Sequence, residues 1–223
     1  MIFTRVLEFA VLFFGAPTIY VLNSKPPNVL PLLLLITVGC LIVLLFDRTF
    51  ERQHLWNQKA LYPHLMRILT TLLFGAIFIG VWIWFCNKTL LFSLLLKRPL
   101  IWMCVMVLYP LLSVYPQELV YRTFFFHRYQ KIFPNRFLMI GVNAVAFGYM
   151  HIVFQNAVAV ILTLAGGFLF ALTYNKTRST FASSFEHALY GCLVFTIGLD
   201  QYFFIGTISL PRLAQKLILN FLK

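Results

Sequence analysis

The chain has 223 residues, 61% of them hydrophobic, and a mean hydropathy of +0.87. A soluble domain is closer to half apolar, so this excess excludes an ordinary soluble fold and places the chain among integral membrane proteins, as one membrane domain over 1–223. The net charge of +12, from 18 Lys and Arg against 6 Asp and Glu, suits loops facing an anionic membrane surface; no basic cluster accompanies a nucleic-acid-binding motif, so no nucleic-acid partner is expected.

Seven apolar segments follow in chain order, at 6–22, 29–46, 67–86, 100–121, 137–154, 157–174 and 185–206. Each approaches the roughly 20 residues that a helix needs to cross a bilayer. Lipid offers backbone groups no partners, so these segments are expected to be helices, and the alternation of membrane strands is absent. The first is broken at Gly15-Ala16-Pro17; with Glu8 in it and no clear A-x-A site, it reads as a retained span and not a cleaved leader. Asn23 to Asn28 form a turn, 47–64 the longest polar connection, and Asn175 to Thr180 a further polar link. Near the end, Leu213, Leu217, Ile218 and Phe221 fall at helical spacing and predict an interfacial amphipathic helix over 211–223.

Loop charges predict the orientation. One side collects 11 basic residues (Arg5, Arg48, Arg52, Lys59, Arg67, Arg122, Arg128, Lys131, Arg136, Lys176, Arg178) and the other 7, which puts the N-terminus in the cytoplasm. Trp56, Trp82, Trp84 and Trp102 lie near segment ends, where interfacial anchors belong. Cys40, Cys86, Cys104 and Cys192 sit in or beside apolar runs without a C-x-x-C pair, and read as packing residues.

Ionisable groups inside a span are costly unless paired or hydrated, so the few present are informative. Asp47 and Glu51 fall in a loop; His54, His64 and His127 fit loops or interfaces. Glu8, Glu118, Glu186 and Asp200 lie in or beside spans, and His151 and His187 in the fifth and seventh segments. Glu118 and Arg122 are one turn apart on a helix face. They form either a neutralising pair or a carboxylate held for base chemistry, with Arg122 as an alternative oxyanion donor. Pro110 and Pro116 are expected to bend or interrupt this helix.

Asn143, Phe147 and His151 recur every fourth residue and form one stripe, although His151 taken alone reads more readily as a packed, hydrogen-bonded residue. Glu186 fits the first turn of the seventh helix, where the helix dipole favours an acid, with Ser183 or Ser184 as N-cap; His187 lies one step deeper. Two histidines and a glutamate from three helices point to a polar centre inside the bundle. No H-E-x-x-H is present, so the commonest zinc-protease pattern is missing. Glu118, His151 and His187 could hold a divalent metal such as zinc, or could activate water with no metal at all. A serine or cysteine nucleophile is less favoured, since G-x-S-x-G is absent and the cysteines lack polar neighbours.

Three blocks now stand in order: QELVYR (117–122), FGYMH (147–151) and HALYG (187–191), joined by GGFLFALTYNKTRST. Over about 105–205 the chain resembles the CAAX-protease and bacteriocin-processing (CPBP, or ABI) intramembrane endopeptidases, whose pattern is E-E-x-x-x-R, F-x-x-x-H and H-x-x-x-N or a relative of it. Residues 1–100 would add N-terminal membrane helices. The resemblance implies an all-α bundle of about seven transmembrane helices around a water-filled polar cavity, in which a glutamate and histidines activate water for peptide-bond hydrolysis. Glu118, Arg122, Phe147, His151 and His187 match the motif. Gln117 stands where the family has its first glutamate, usually assigned as the general base, and Gly191 where an asparagine often supports the oxyanion.

The reading that results is an intramembrane endopeptidase. Glu118 is the base, His151 and His187 polarise water or carbonyl, Arg122 fixes Glu118, and Gln117, Asn143, Phe147 and Glu186 line the site. Membrane lipids and a membrane-anchored peptide or protein are the expected partners, with a multi-pass location in the inner or plasma membrane if the source is bacterial. The alternative is an inactive relative that binds peptides as a scaffold or immunity protein. A small transporter is a weaker third reading, because no internal repeat is evident. Nothing in the sequence indicates recognition of a prenyl group.

Overall fold

The computed structural model describes residues 2–23 and 28–204, and among them it is helical without strands. Six helical stretches are long and apolar enough to cross a membrane: Ile2–Leu22, Val29–Phe46, Gln58–Lys97, Pro99–Arg128, Arg136–Phe154 and Ala157–Thr177. The chain is thus a multi-pass, all-α integral membrane protein. We label Ile2–Leu22 α1, Val29–Phe46 α2, Leu65–Asn87 α3, Pro99–Arg128 α4, Arg136–Met150 α5 and Ala157–Thr177 α6. The seventh expected segment is also helical, as α7 at Thr180–Ile197, but falls outside the set of six. Its polar residues explain why. Thr180, Ser183, Glu186 and His187 are all buried on α7, which packs against α3, α4 and α6. A helix that faces protein can carry polar groups that lipid would exclude.

The prolines widen helices and do not break them. Pro17 follows a π-helical turn at Val11–Gly15, and α4 holds two such turns, at Pro110–Val114 and Leu119–Phe124. Proline lacks the N–H that would bond the carbonyl four residues back, and a π-turn absorbs the misfit without ending the helix. The expected interruption at Pro110 and Pro116 is therefore a change of register inside one continuous span.

Helix ends follow side-chain chemistry. Asn135, Asn156 and Ser179 accept backbone N–H bonds at the starts of α5, α6 and α7. The cap of α7 is thus Ser179, and Ser183 and Ser184 lie within the helix; this corrects the expected start and moves Glu186 out of the first turn. The polar link contracts to Arg178 and Ser179, because α6 runs on through Thr177. At the far end of α7, Gly198 takes φ +106°, and a Cβ there would run into the Leu90 carbonyl.

The connection 47–64 is built of short 3₁₀ turns that cover the starts of α7 and of the site region of α4. Its carbonyls at His54, Leu55 and Asn57 accept from Thr180, Tyr115 and Ser179 hydroxyls, and Trp56 packs on Tyr115 and Phe181. Trp82 and Trp84 are exposed, and all four cysteines are free. The core is aromatic: Phe9 and Phe13 of α1 meet Tyr121, Phe125 and Tyr129 edge-on. The expected C-terminal amphipathic helix at 211–223, and positions 24–27 of the first turn, lie outside the described residues.

Candidate active site

Glu118 and Arg122 share the inner face of α4 and are fully buried. Glu118 Oε2 lies 3.3 Å from Arg122 Nε, which is ion-pair distance, although the two are not aligned as a hydrogen bond. Glu118 Oε1 accepts from Nδ1 of His187 on α7 at 2.9 Å. Arg122 donates through Nη1 to Asn143 Oδ1, and Asn143 donates onward to the Tyr121 carbonyl. The guanidinium sits over the Phe147 ring at 4.8 Å, and so gains a cation–π contact in a dry setting.

Three of the expected elements therefore converge. The first sequence block meets the third through Glu118 and His187, and Asn143 and Phe147 of α5 close the group from the side. His187 is clamped: its ring stacks on Phe170 at 4.5 Å and meets Phe147 edge-on at 5.4 Å. Glu118 Oε2 and Arg122 Nε and Nη2 are buried without a hydrogen-bond partner. Such groups are uncommon in a well-packed interior, and an unfilled acceptor beside unfilled donors is a place for a polar guest.

His151 takes a different position. It opens the 3₁₀ turn His151–Phe154 that continues α5, is 8% exposed, and lies beside the Phe147 ring at 4.8 Å. Its Nδ1 bonds the Phe147 carbonyl at 2.8 Å, which leaves Nε2 as the accepting nitrogen of the neutral ring. Gln117 donates to Ser113 at 2.8 Å. Glu186 belongs to a second buried group, where Thr173 bonds it and Arg67 of α3 stands 3.3 Å away.

The donor set does not suit a metal. Both His187 nitrogens have partners, Glu118 is shared between His187 and Arg122, and His151 Nδ1 is engaged by the Phe147 carbonyl. Among the described residues, no three His, Cys, Asp or Glu side chains gather closely enough to hold an ion. The two described grooves lie elsewhere, lined by apolar residues such as Gly141, Leu164 and Phe168, or Phe9, Phe133 and Val142.

Sequence reasoning passed over Tyr109, whose hydroxyl is 3.2 Å from His187 Nε2. Tyrosine near an apolar segment carries no local signal, and only the packing of α4 on α7 singles it out.

Residues 97–193 match the family model described as type II CAAX prenyl endopeptidase Rce1-like. Over that stretch the chain is similar to this family. The stretch runs from the start of α4 into α7 and holds every residue of the Glu118–His187 group, so the family likeness first seen in three short blocks is borne out. No curated protein and no solved structure matches the chain. At family level the Rce1-like segment supports a protease of the CAAX type in a membrane setting.

Proposed function

We propose that the chain is an intramembrane endopeptidase that cuts membrane-associated peptides or proteins by means of water activated at Glu118. The observation that carries this reading is the 2.9 Å bond between Glu118 and His187, made across two helices inside the Rce1-like segment. A water between Glu118 Oε2 and Arg122 Nη2 would fill the unmatched acceptor and donor. Glu118 takes a proton from that water as its oxygen bonds to the scissile carbonyl carbon. Negative charge then develops on the carbonyl oxygen, where the spare Arg122 N–H offers stabilisation in a dry site. As the C–N bond breaks, the proton passes from Glu118 to the leaving amine. His187 orients Glu118, and the accepting Nε2 of His151 polarises water or substrate. Because Glu118 and Arg122 are completely buried, substrate binding requires the bundle to part.

The test is cleavage of a membrane-anchored peptide by the purified protein in bilayers. Glu118→Gln is expected to lower kcat by about 100- to 10,000-fold, the range for loss of a general base. Full activity in Glu118→Gln would remove the assignment. A second reading, a peptide-binding relative that does not cut, is favoured by Gln117, which cannot take a proton and which bonds Ser113. Peptide binding without turnover in the unaltered protein, unchanged by Gln117→Glu, would select it. Metal content measured on active protein tests the side-chain chemistry: activity lost on chelation and restored by zinc would overturn it.

A further inference from the structure

Tyr109 and Gly191 act together. Tyr109 stands nine residues before Glu118 on α4. In an unbroken α-helix nine residues turn through about 900°, which puts the two side chains on opposite faces. The π-turn at Pro110–Val114 takes up one extra residue. The remaining eight steps give about 800°, or about 80° apart, and Tyr109 is brought round towards α7.

There it meets Gly191, one turn beyond His187. A Cβ at 191 would overlap the hydroxyl end of the Tyr109 ring, at the oxygen and its adjoining carbons. Any side chain at 191 must therefore displace the tyrosine. The ring rests edge-on against Phe195 at 5.1 Å, and the hydroxyl reaches His187 Nε2 at 3.2 Å. The other nitrogen, Nδ1, faces the Glu118 carboxylate at 2.9 Å. A carboxylate only accepts, so Nδ1 carries the proton; Nε2 of the neutral ring is then the acceptor and the Tyr109 O–H the donor.

We propose that Tyr109 is a positioning residue, admitted by Gly191, whose hydroxyl holds His187 in the Nδ1–H tautomer that grips Glu118. It brings a hydroxyl from α4 to His187 across the space that Gly191 leaves open. The inference deepens the protease reading, since it concerns the same site and rests on that reading for its effect on rate. Its structural half stands on the hydrogen-bonded chain alone.

The experiment combines ¹⁵N NMR of histidine-labelled full-length protein in micelles, with His187 assigned through His187→Gln, and cleavage kinetics on a membrane-anchored peptide. In the unaltered protein the His187 signals are expected to show a protonated Nδ1 and an accepting Nε2. Tyr109→Phe keeps the ring in the Gly191 notch and removes only the hydroxyl, so folding is preserved. It is expected to shift the Nε2 signal and to lower kcat about tenfold, with KM changed less than about twofold, as for one lost hydrogen bond. Gly191→Ala is expected to reproduce both effects by expelling the ring. Tyr109→Ala combined with Gly191→Asn, which returns a donor from α7, is expected to restore part of the rate. An unchanged His187 spectrum in Tyr109→Phe overturns the proposal. If the unaltered protein cuts nothing while Tyr109→Phe still shifts the spectrum, the protease reading fails and the role of Tyr109 stands.

Discussion

Two of the carboxylate–arginine pairs among the described residues, Glu8 with Arg128 and Glu118 with Arg122, are built differently. Glu8 of α1 meets Arg128 at the end of α4 in a two-pronged contact, with bonds of 3.0 and 2.7 Å, and Tyr129 adds a third bond to the same carboxylate at 2.9 Å. Both side chains are about three-tenths exposed, at 31% and 28%. Glu118 and Arg122 are wholly buried, poorly aligned with each other, and left with one acceptor and two donors unmatched. The outer pair is satisfied and needs nothing more, as a staple between helices should be. The inner pair is held by third parties (His187 on the acid, Asn143 and Phe147 on the base) and keeps capacity in reserve. Buried polar atoms without a protein partner call for an explanation, and a bound water or a catalytic role supplies one.

The strongest way to break this contrast is to remove one partner from each pair. Arg122→Ala strands a buried carboxylate and is expected to cost about 3–5 kcal/mol. Thermal melts in detergent measure it, and a cost below that of Arg128→Ala would contradict the division. Reversing each pair sharpens it further: Glu8→Arg with Arg128→Glu is expected to keep most of the stability, while Glu118→Arg with Arg122→Glu is not, because His187 and Asn143 fix which charge stands where. Near-equal melting of the two reversed proteins would show that the third parties matter little. Arg128→Ala alone is expected to cost about 1 kcal/mol, as partly exposed pairs do, and to leave cleavage unaffected. Loss of cleavage there would join the outer pair to the site.

The smallest effect is expected at a third contact, Asp47 with His127, at 2.9 Å. The bond from His127, then those from the Thr49 backbone and hydroxyl, hold the Asp47 carboxyl well below the usual carboxylate range. A depressed folded value means that the contribution to stability is complete above the unfolded value of about 3.9 and is lost as pH falls through the folded one. Asp47→Asn should therefore destabilise slightly at neutral pH and flatten the acid limb of a stability–pH curve below about pH 4. A curve unchanged from the parent protein would remove Asp47 from the acid response.

Individual residues show how far the sequence was legible. Each apolar run from 6–22 to 157–174 became a helix close to its expected bounds, because a lipid-exposed backbone has no other solution. Glu118, Arg122 and His187 could be picked out by their cost in such surroundings. Gln117 and Glu186 could not be placed, since spacing along a helix does not say which of two neighbouring polar groups a side chain joins. His151 was assigned to the centre by its stripe with Asn143 and Phe147; α5 ends just before it, and both its ring and that of His187 pack against Phe147.

By itself, then, the sequence determined a multi-helix membrane protein and the residues whose burial demands explanation, since hydropathy and the cost of buried charge are local properties. Tertiary structure alone decided that α7 is an inner helix, that Glu118 faces His187 and Glu186 faces Thr173 and Arg67, and that Gly191 makes room for Tyr109. Those outcomes depend on register shifts at the π-turns of α4 and on which helix faces meet. Such relations exist only between segments distant in the chain, and no single segment encodes them.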